Sequence, residues 1–166
     1  LALIVEDQSD TRAWLHKMLA AAFEGITITE ASTLRAARGW IAANAAALSS
    51  ATNASPIALV DIGLPDGSGV DLIRQLAREH RAVTSIVTTI YDDDHHLFEA
   101  IAAGAQGYLL KDHPPDTLIQ YLHRIDRGEP PLSPSIARRM LQHFSRLQPL
   151  AIAPGEPAGD ALTARE

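Results

Sequence analysis

No cysteine occurs among the 166 residues. Disulfide frameworks, thiolate zinc sites and cysteine nucleophiles are therefore excluded. A chain of this length can bury a sufficient core without such staples. Positive charge is also scarce: 14 Lys and Arg stand against 20 Asp and Glu, a net charge of −6. Without a basic stripe these residues make a poor direct binder of nucleic acid. No apolar run is long enough to cross a bilayer, so no membrane partner is expected. No secretory leader is visible, because the apolar start Leu1–Val5 breaks at once into Glu6-Asp7. A cytoplasmic location is the expectation, and the lack of cysteine suits it. Leu1 is not an initiator methionine and already reads as strand, so a few leading residues are expected to be missing.

What is present is globular: 46% hydrophobic and 20% charged residues. Short apolar runs alternate with segments of helical period, and there are no repeats. Leu1–Val5, Ile57–Val60, Val83–Val87 and Tyr108–Leu110 read as buried strands, and Ile26–Thr29 alternates as an edge strand does. Helical periodicity spans Asp10–Phe23 with Ser9 as its cap, Leu34–Leu48, Val70–Arg81, His95–Ala103 and Asp116–Arg127. Five strand-helix pairs up to about residue 128 predict an α/β fold, a doubly wound five-stranded parallel sheet with helices on both faces. Ser49–Pro56 reads as a polar loop, and Gly67-Ser68-Gly69 as the turn into the following helix.

Beyond Gly128 the pattern changes. Ser133 and Pro134 open a further helix over 129–148 in which Ile136, Met140, Phe144 and Leu147 form a single apolar seam, suited to a partner helix. Residues 149–166 begin as a Pro-, Ala- and Gly-rich linker. They end on Thr163-Ala164-Arg165-Glu166, a capping box that announces a helix of a second domain.

In an open parallel sheet, function gathers at the carboxyl ends of the strands. There the sequence places Glu6-Asp7, Asp61, Thr88-Thr89 and Lys111. Three crowded carboxylates repel one another and either take up protons or bind a metal. All-oxygen ligands with room for water suit Mg²⁺, which takes further oxygens from a phosphoryl group. Lys111 would balance that group's charge, and Asp61 is the nucleophile, since an aspartate can form an acyl phosphate. By contrast Asp92-Asp93-Asp94-His95-His96 reads as acids complementing a helix N-terminus, because adjacent histidines on a helix point about 100° apart. Trp14 and Trp40 read as packing.

These residues, in this order, resemble a response-regulator receiver domain of two-component signalling. The matching segments are Leu3–Asp7, Leu59–Gly69, Thr89 and Ala103–Asp112, and the resemblance covers residues 1–128 and implies the flavodoxin-like strand order 2-1-3-4-5. Pro131–Pro134 with its helix, and Leu162–Glu166, look like the interdomain helix and the opening of the helix-turn-helix domain of the LuxR-type (NarL/FixJ) subclass. The resemblance implies that Asp61 receives phosphate from a sensor histidine kinase. It also implies that Glu6, Asp7, Asp61 and the backbone carbonyl of Gly63 hold Mg²⁺. Thr89 and Lys111 contact the phosphoryl oxygens, and Tyr108 is the switch aromatic that turns inward as Thr89 moves. Thr88 remains an alternative for the functional hydroxyl. Ile90 stands where such receivers usually carry a small residue and is expected to gate the site. The whole protein is expected to be a homodimeric transcription regulator that reaches DNA only through a domain outside this chain, and to be no enzyme beyond taking part in its own phosphorylation and dephosphorylation.

Rival readings are weaker. A flavodoxin-like cofactor domain needs a neutral loop after the first strand, whereas Glu6-Asp7-Gln8-Ser9-Asp10 would repel a phosphate. An aspartyl phosphohydrolase needs a second acid two residues after the nucleophile, where Gly63 stands. A degenerate receiver that serves as a phosphate-independent interaction module would not need the full set of matched residues.

Overall fold

The apolar runs become strands, and the helical segments become the crossovers that cover both sheet faces. The computed structural model describes residues 1–49 and 55–147. Its elements are β1 (Ala2–Val5), α1 (Ser9–Ala22), β2 (Ile28–Ala31), α2 (Leu34–Ala43), α3 (Ala45–Ser49), β3 (Ile57–Val60), β4 (Gly63–Leu64), β5 (Gly67–Ser68), α4 (Gly69–Glu79), β6 (Thr84–Thr89), α5 (Asp94–Ala103), β7 (Gly107–Leu110), α6 (Pro115–Leu122), a 3-10 turn at Ile125–Arg127, and α7 (Pro134–Leu147). One parallel sheet has the order β2-β1-β3-β6-β7. The short strands β4 and β5 pair only with each other. Setting that hairpin aside, the order is the expected 2-1-3-4-5.

Strand alternation divides the core. Leu3, Val5, Ala58, Val60, Val87, Tyr108 and Leu110 face α2, α4 and α5. Ala2, Ile4, Ile57, Leu59, Ile86 and Leu109 face α1 and α6. Both faces are dry, which is why these strands are continuously apolar. The exception is β2, whose Glu30 is exposed at the sheet edge.

Element ends move for local reasons. The edge strand begins two residues later than its alternation predicts, because the ladder with β1 starts at Ala2 opposite Ile28. Ser9 is the first helical residue of α1 and Gln8 takes the cap position, without a side-chain cap bond. The helix predicted over Leu34–Leu48 breaks at Asn44, whose side-chain amide donates to the Trp40 carbonyl at 2.8 Å, a local bond that competes with helix continuation. The helix predicted to run to Arg127 ends at Leu122 and tightens into the 3-10 turn. Ser68 caps α4 by accepting the Val70 N–H at 3.2 Å, so Gly67–Gly69 does make the turn into that helix.

The seam of α7 is split. Ile136 is fully buried in the α2/α4/α5 core and Met140 packs against it, whereas Phe144 and Leu147 are 52% and 63% exposed. Half of the predicted partner surface is thus used by this chain itself. The approach to α7 is pinned to the sheet: the Tyr108 N–H donates to the Pro131 carbonyl at 3.2 Å, and Tyr108 bridges to Leu132. The predicted linker over 149–166, and the capping box within it, lie outside the described residues.

Candidate functional site

Sheet pairing continues one residue past the strands and so fixes the rim. The Glu6 N–H donates to the Ala31 carbonyl at 3.0 Å, the Asp61 N–H to Val5 at 2.9 Å and the Lys111 N–H to Thr89 at 2.9 Å. Ladder geometry therefore sets the backbone of two acids and the lysine. Gly69 completes the Asp61 position. A Cβ on Gly69 would lie 1.9 Å from the Asp61 carbonyl oxygen, so only glycine permits that approach.

The side chains converge as the sequence predicts. Glu6 is fully buried and Asp61 nearly so, whereas Asp7 is exposed. One carboxylate oxygen from each of Glu6, Asp7 and Asp61 lies within 4.8 Å of the others. The Lys111 ammonium is 2.5 Å from Glu6 Oε2 and 3.1 Å from Asp61 Oδ2. One ammonium faces three carboxylates, which leaves an excess of negative charge. Burial pushes the Glu6 carboxyl above the usual glutamate range, and the Lys111 ammonium pulls the other way. Glu6 Oε1 accepts the Gln8 N–H at 3.1 Å, and buried Oε2 is held by the Lys111 ammonium. Three carboxylates that converge on one point, with Asp7 open to solvent, form an all-oxygen, over-negative cluster that fits a hard divalent cation such as Mg²⁺.

An open cleft of about 440 Å³ leads to this cluster, walled in part by Asp7, Asp61, Gly63, Ile90, Tyr91 and Lys111. Ile90 is 73% exposed at its mouth. Trp14 also lines the cleft, so it has a position beyond the packing read from the sequence; α1 starts directly after the acid pair, and this residue still faces the rim. Strand alternation separates the two threonines. Thr88 lies under the α1/α6 layer among Leu59, Leu109 and Trp14, and its buried hydroxyl has no partner among the described residues. The Thr89 hydroxyl turns to the rim loop and accepts the Tyr91 N–H at 3.2 Å, which leaves its own proton available to a second acceptor. Tyr108 is fully buried and its hydroxyl donates to the Tyr91 carbonyl at 2.8 Å. Burial raises the phenol above its ordinary pKa.

Three neighbours escaped the sequence reading. Arg12 Nη1 donates to the carbonyls of Glu6 (2.7 Å) and Asp7 (3.2 Å) while its Nε holds Glu30 (3.2 Å), bracing the acidic loop. Asp66 accepts the N–H groups of Leu34 (2.8 Å) and Arg35 (2.9 Å), tying the β4–β5 hairpin to the start of α2; those bonds hold its carboxyl below the usual range. Arg139 of α7 pairs with Asp92 and Asp94 beside the rim. Their sequence separations of up to 47 residues carry no local signal. Ligand atoms of Asp93, His95 and His96 also come within 4.8 Å of one another, closer than the helical geometry of adjacent histidines predicts. There Asp93 serves as the α5 cap, accepting the His96 N–H at 3.0 Å and contacting its ring nitrogen at 2.6 Å.

Comparison with known proteins agrees with this geometry. The chain is 38% identical over 93 residues to the transcriptional regulatory protein YdfI of Bacillus subtilis, an overlap of 55% of this chain and 43% of that protein. It is 35% identical over 120 residues to the nitrate/nitrite response regulator protein homolog of Haemophilus influenzae, covering 72% of this chain and 53% of that one. The chain thus spans about half the length of these curated relatives. In fold it is similar to a LuxR-family two-component response regulator from Aurantimonas, with a TM-score of 0.67 at 20% identity over 87% of this chain and 96% of that one. The profile of the response regulator receiver domain matches residues 2–123, so that the sheet order, the acidic rim and its lysine all fall within it, and the chain belongs to that family.

Proposed function

We propose that Asp61 is the phosphoacceptor of a phosphorylation-controlled switch, charged by a sensor histidine kinase. The observation that carries this reading is the Lys111 ammonium, 3.1 Å from Asp61 Oδ2 within the three-carboxylate cluster. An Asp61 carboxylate oxygen attacks the phosphorus, the bond to the donor breaks, and the donor leaves with its electron pair. Glu6, Asp7, Asp61 and the Gly63 carbonyl would hold Mg²⁺, which supplies charge neutralisation and an oxygen template for the transferring group. Lys111, beside Asp61, would balance the phosphoryl charge. Thr89 has a hydroxyl proton to donate to a phosphoryl oxygen. Tyr108, already inward and bonded to Tyr91, reports movement of Thr89 through the segment between them. Ile90 at the cleft mouth obstructs the line of approach for water and for small donors.

A receiver is a signalling domain rather than an enzyme of the usual kind; its part in its own phosphorylation and in the hydrolysis of its acyl phosphate belongs to this proposal. So do a homodimeric transcription regulator, DNA contact through a domain beyond these residues, and a cytoplasmic site of action. Incubation with acetyl phosphate and Mg²⁺, followed by intact mass, tests the reading. Gain of one phosphoryl group by the parent and none by Asp61→Asn is the expected result. A parent chain that gains no mass would instead be a phosphate-independent interaction module.

A further inference from the structure

Helix α7 lies beyond the residues matched to the receiver profile, yet it touches the loop that rims the phosphoryl site. Its docking is well anchored. Ile136 is fully buried, Met140 packs on the same core, and the His143 ring stacks on Phe98 of α5 at 3.7 Å with 22° between the planes. Arg139 sits among these anchors. Its guanidinium contacts Asp92 and reaches Asp94 through Nε at 2.8 Å and Nη2 at 2.7 Å. The segment between Thr89 and Asp94 is therefore held at both ends. At the sheet end the Thr89 hydroxyl accepts the Tyr91 N–H, and the Tyr91 carbonyl accepts the Tyr108 hydroxyl. At the far end Arg139 grips two carboxylates. Ile90 and Tyr91, in between, wall the cleft above Asp61.

We propose that Arg139 is a positioning residue for phosphoryl chemistry at Asp61, so that docking of α7 and phosphorylation favour each other; this rests on the reading of Asp61 as phosphoacceptor. Two physical effects have the same sign. The clamp holds the loop where the Thr89 hydroxyl keeps a proton to donate, so the site is organised before the phosphoryl group arrives. Arg139 also offsets the charge of Asp92 and Asp94, and an acyl phosphate, with about two negative charges where the carboxylate had one, adds about one further negative charge near this acidic loop. Coupling between the two equilibria is reciprocal: a docked α7 that stabilises the phosphorylated state is itself docked more tightly by phosphorylation. Asp92 and Asp94 are more than half exposed, so solvent screens the pairs and the effect is modest, about threefold to tenfold in rate.

The test uses the full chain with acetyl phosphate and Mg²⁺, following Asp61 phosphorylation by intact mass and α7 docking by amide hydrogen exchange. Arg139→Gln is expected to slow phosphorylation about threefold to tenfold. Arg139→Lys, which keeps the charge and loses the fork, recovers part of the rate. Mg²⁺ affinity, read by Trp14 fluorescence, stays that of the parent, because Arg139 touches none of the three cleft carboxylates. In the parent, α7 amides exchange more slowly after phosphorylation. Arg139→Gln loses this response, and so does the double variant Asp92→Asn, Asp94→Asn, which removes the partners and leaves the arginine. Parent-like rates and parent-like exchange in Arg139→Gln would overturn the inference. So would slowing that comes with lost Mg²⁺ affinity and no rescue by lysine, since that marks general damage. A parent that takes up no phosphoryl group removes the Asp61 reading, and this inference with it, a result distinct from both.

Discussion

Gly69 offers a sharp test of how Asp61, the proposed phosphoacceptor, is held. The Gly69→Ala side chain would place Cβ 1.9 Å from the Asp61 carbonyl oxygen and 2.9 Å from its carbonyl carbon and from a Val60 methyl. Contacts under 3.0 Å essentially never occur, so at least 3.0 − 1.9 = 1.1 Å of movement is needed. The clash is with backbone, which sheet pairing through the Asp61 N–H and the Val5 carbonyl holds at 2.9 Å, so no flexible side chain can swing aside. Overpacking of this type costs about 1–3 kcal/mol or more. Misplacement of a reacting group by about 1 Å can cost about 100-fold in rate. The expected outcome is a lower urea midpoint and a loss of about 100-fold in the acetyl phosphate reaction, measured by intact mass on the folded fraction. Gly39→Ala is the control. It lies on the exposed face of α2 with nothing within 4 Å of the new Cβ, and it should stabilise by about 0.5–1 kcal/mol through helix propensity alone. A Gly69→Ala protein with parental midpoint and parental rate would refute the claim that this glycine sets the Asp61 position.

Three further outcomes are expected. Asp7→Asn removes a hard oxygen ligand and should weaken Mg²⁺ binding about tenfold or more, measured by titration of Trp14 fluorescence; unchanged affinity would place the ion elsewhere. Ile90→Ala opens the cleft mouth and should speed loss of the Asp61 phosphoryl group by up to about tenfold, and equal decay in mutant and parent would show that Ile90 does not gate. Asp66 is held below its ordinary pKa of 3.8 by two backbone N–H groups, so its contribution to stability is present above that pH and is lost as pH falls through the lower folded value. Asp66→Asn should therefore be less stable than the parent at pH 7, with the gap narrowing toward pH 3 in denaturation curves; a gap constant with pH would contradict the role of the Asp66 carboxylate on the Leu34 and Arg35 N–H groups.

Periodicity alone determined the fold class, the order of elements and the membership of the rim. Strand and helix periods are local properties, and in a parallel sheet the residue after a strand lands on one edge whatever the details of packing. Glu6, Asp7, Asp61 and Lys111 were legible for that reason. Alternation also puts Thr88 and Thr89 on opposite faces, but which of them faces α1 and α6 was fixed only by the register of β6 against β3 and β7. The breaks at Asn44 and Leu122 arose from capping and turn bonds that compete with helical periodicity by small energies. Contacts between residues far apart in the chain were decided by tertiary structure: Asp66 on the α2 terminus, Arg12 on Glu30, and Arg139 on Asp92 and Asp94. The α7 seam shows the same division. Its spacing predicted an apolar face that needed a partner, but which residues found one depended on the path through Pro131 and Leu132, where Tyr108 holds the chain against β7 and turns Ile136 into the core, because a helix presents its stripe only where the preceding backbone aims it.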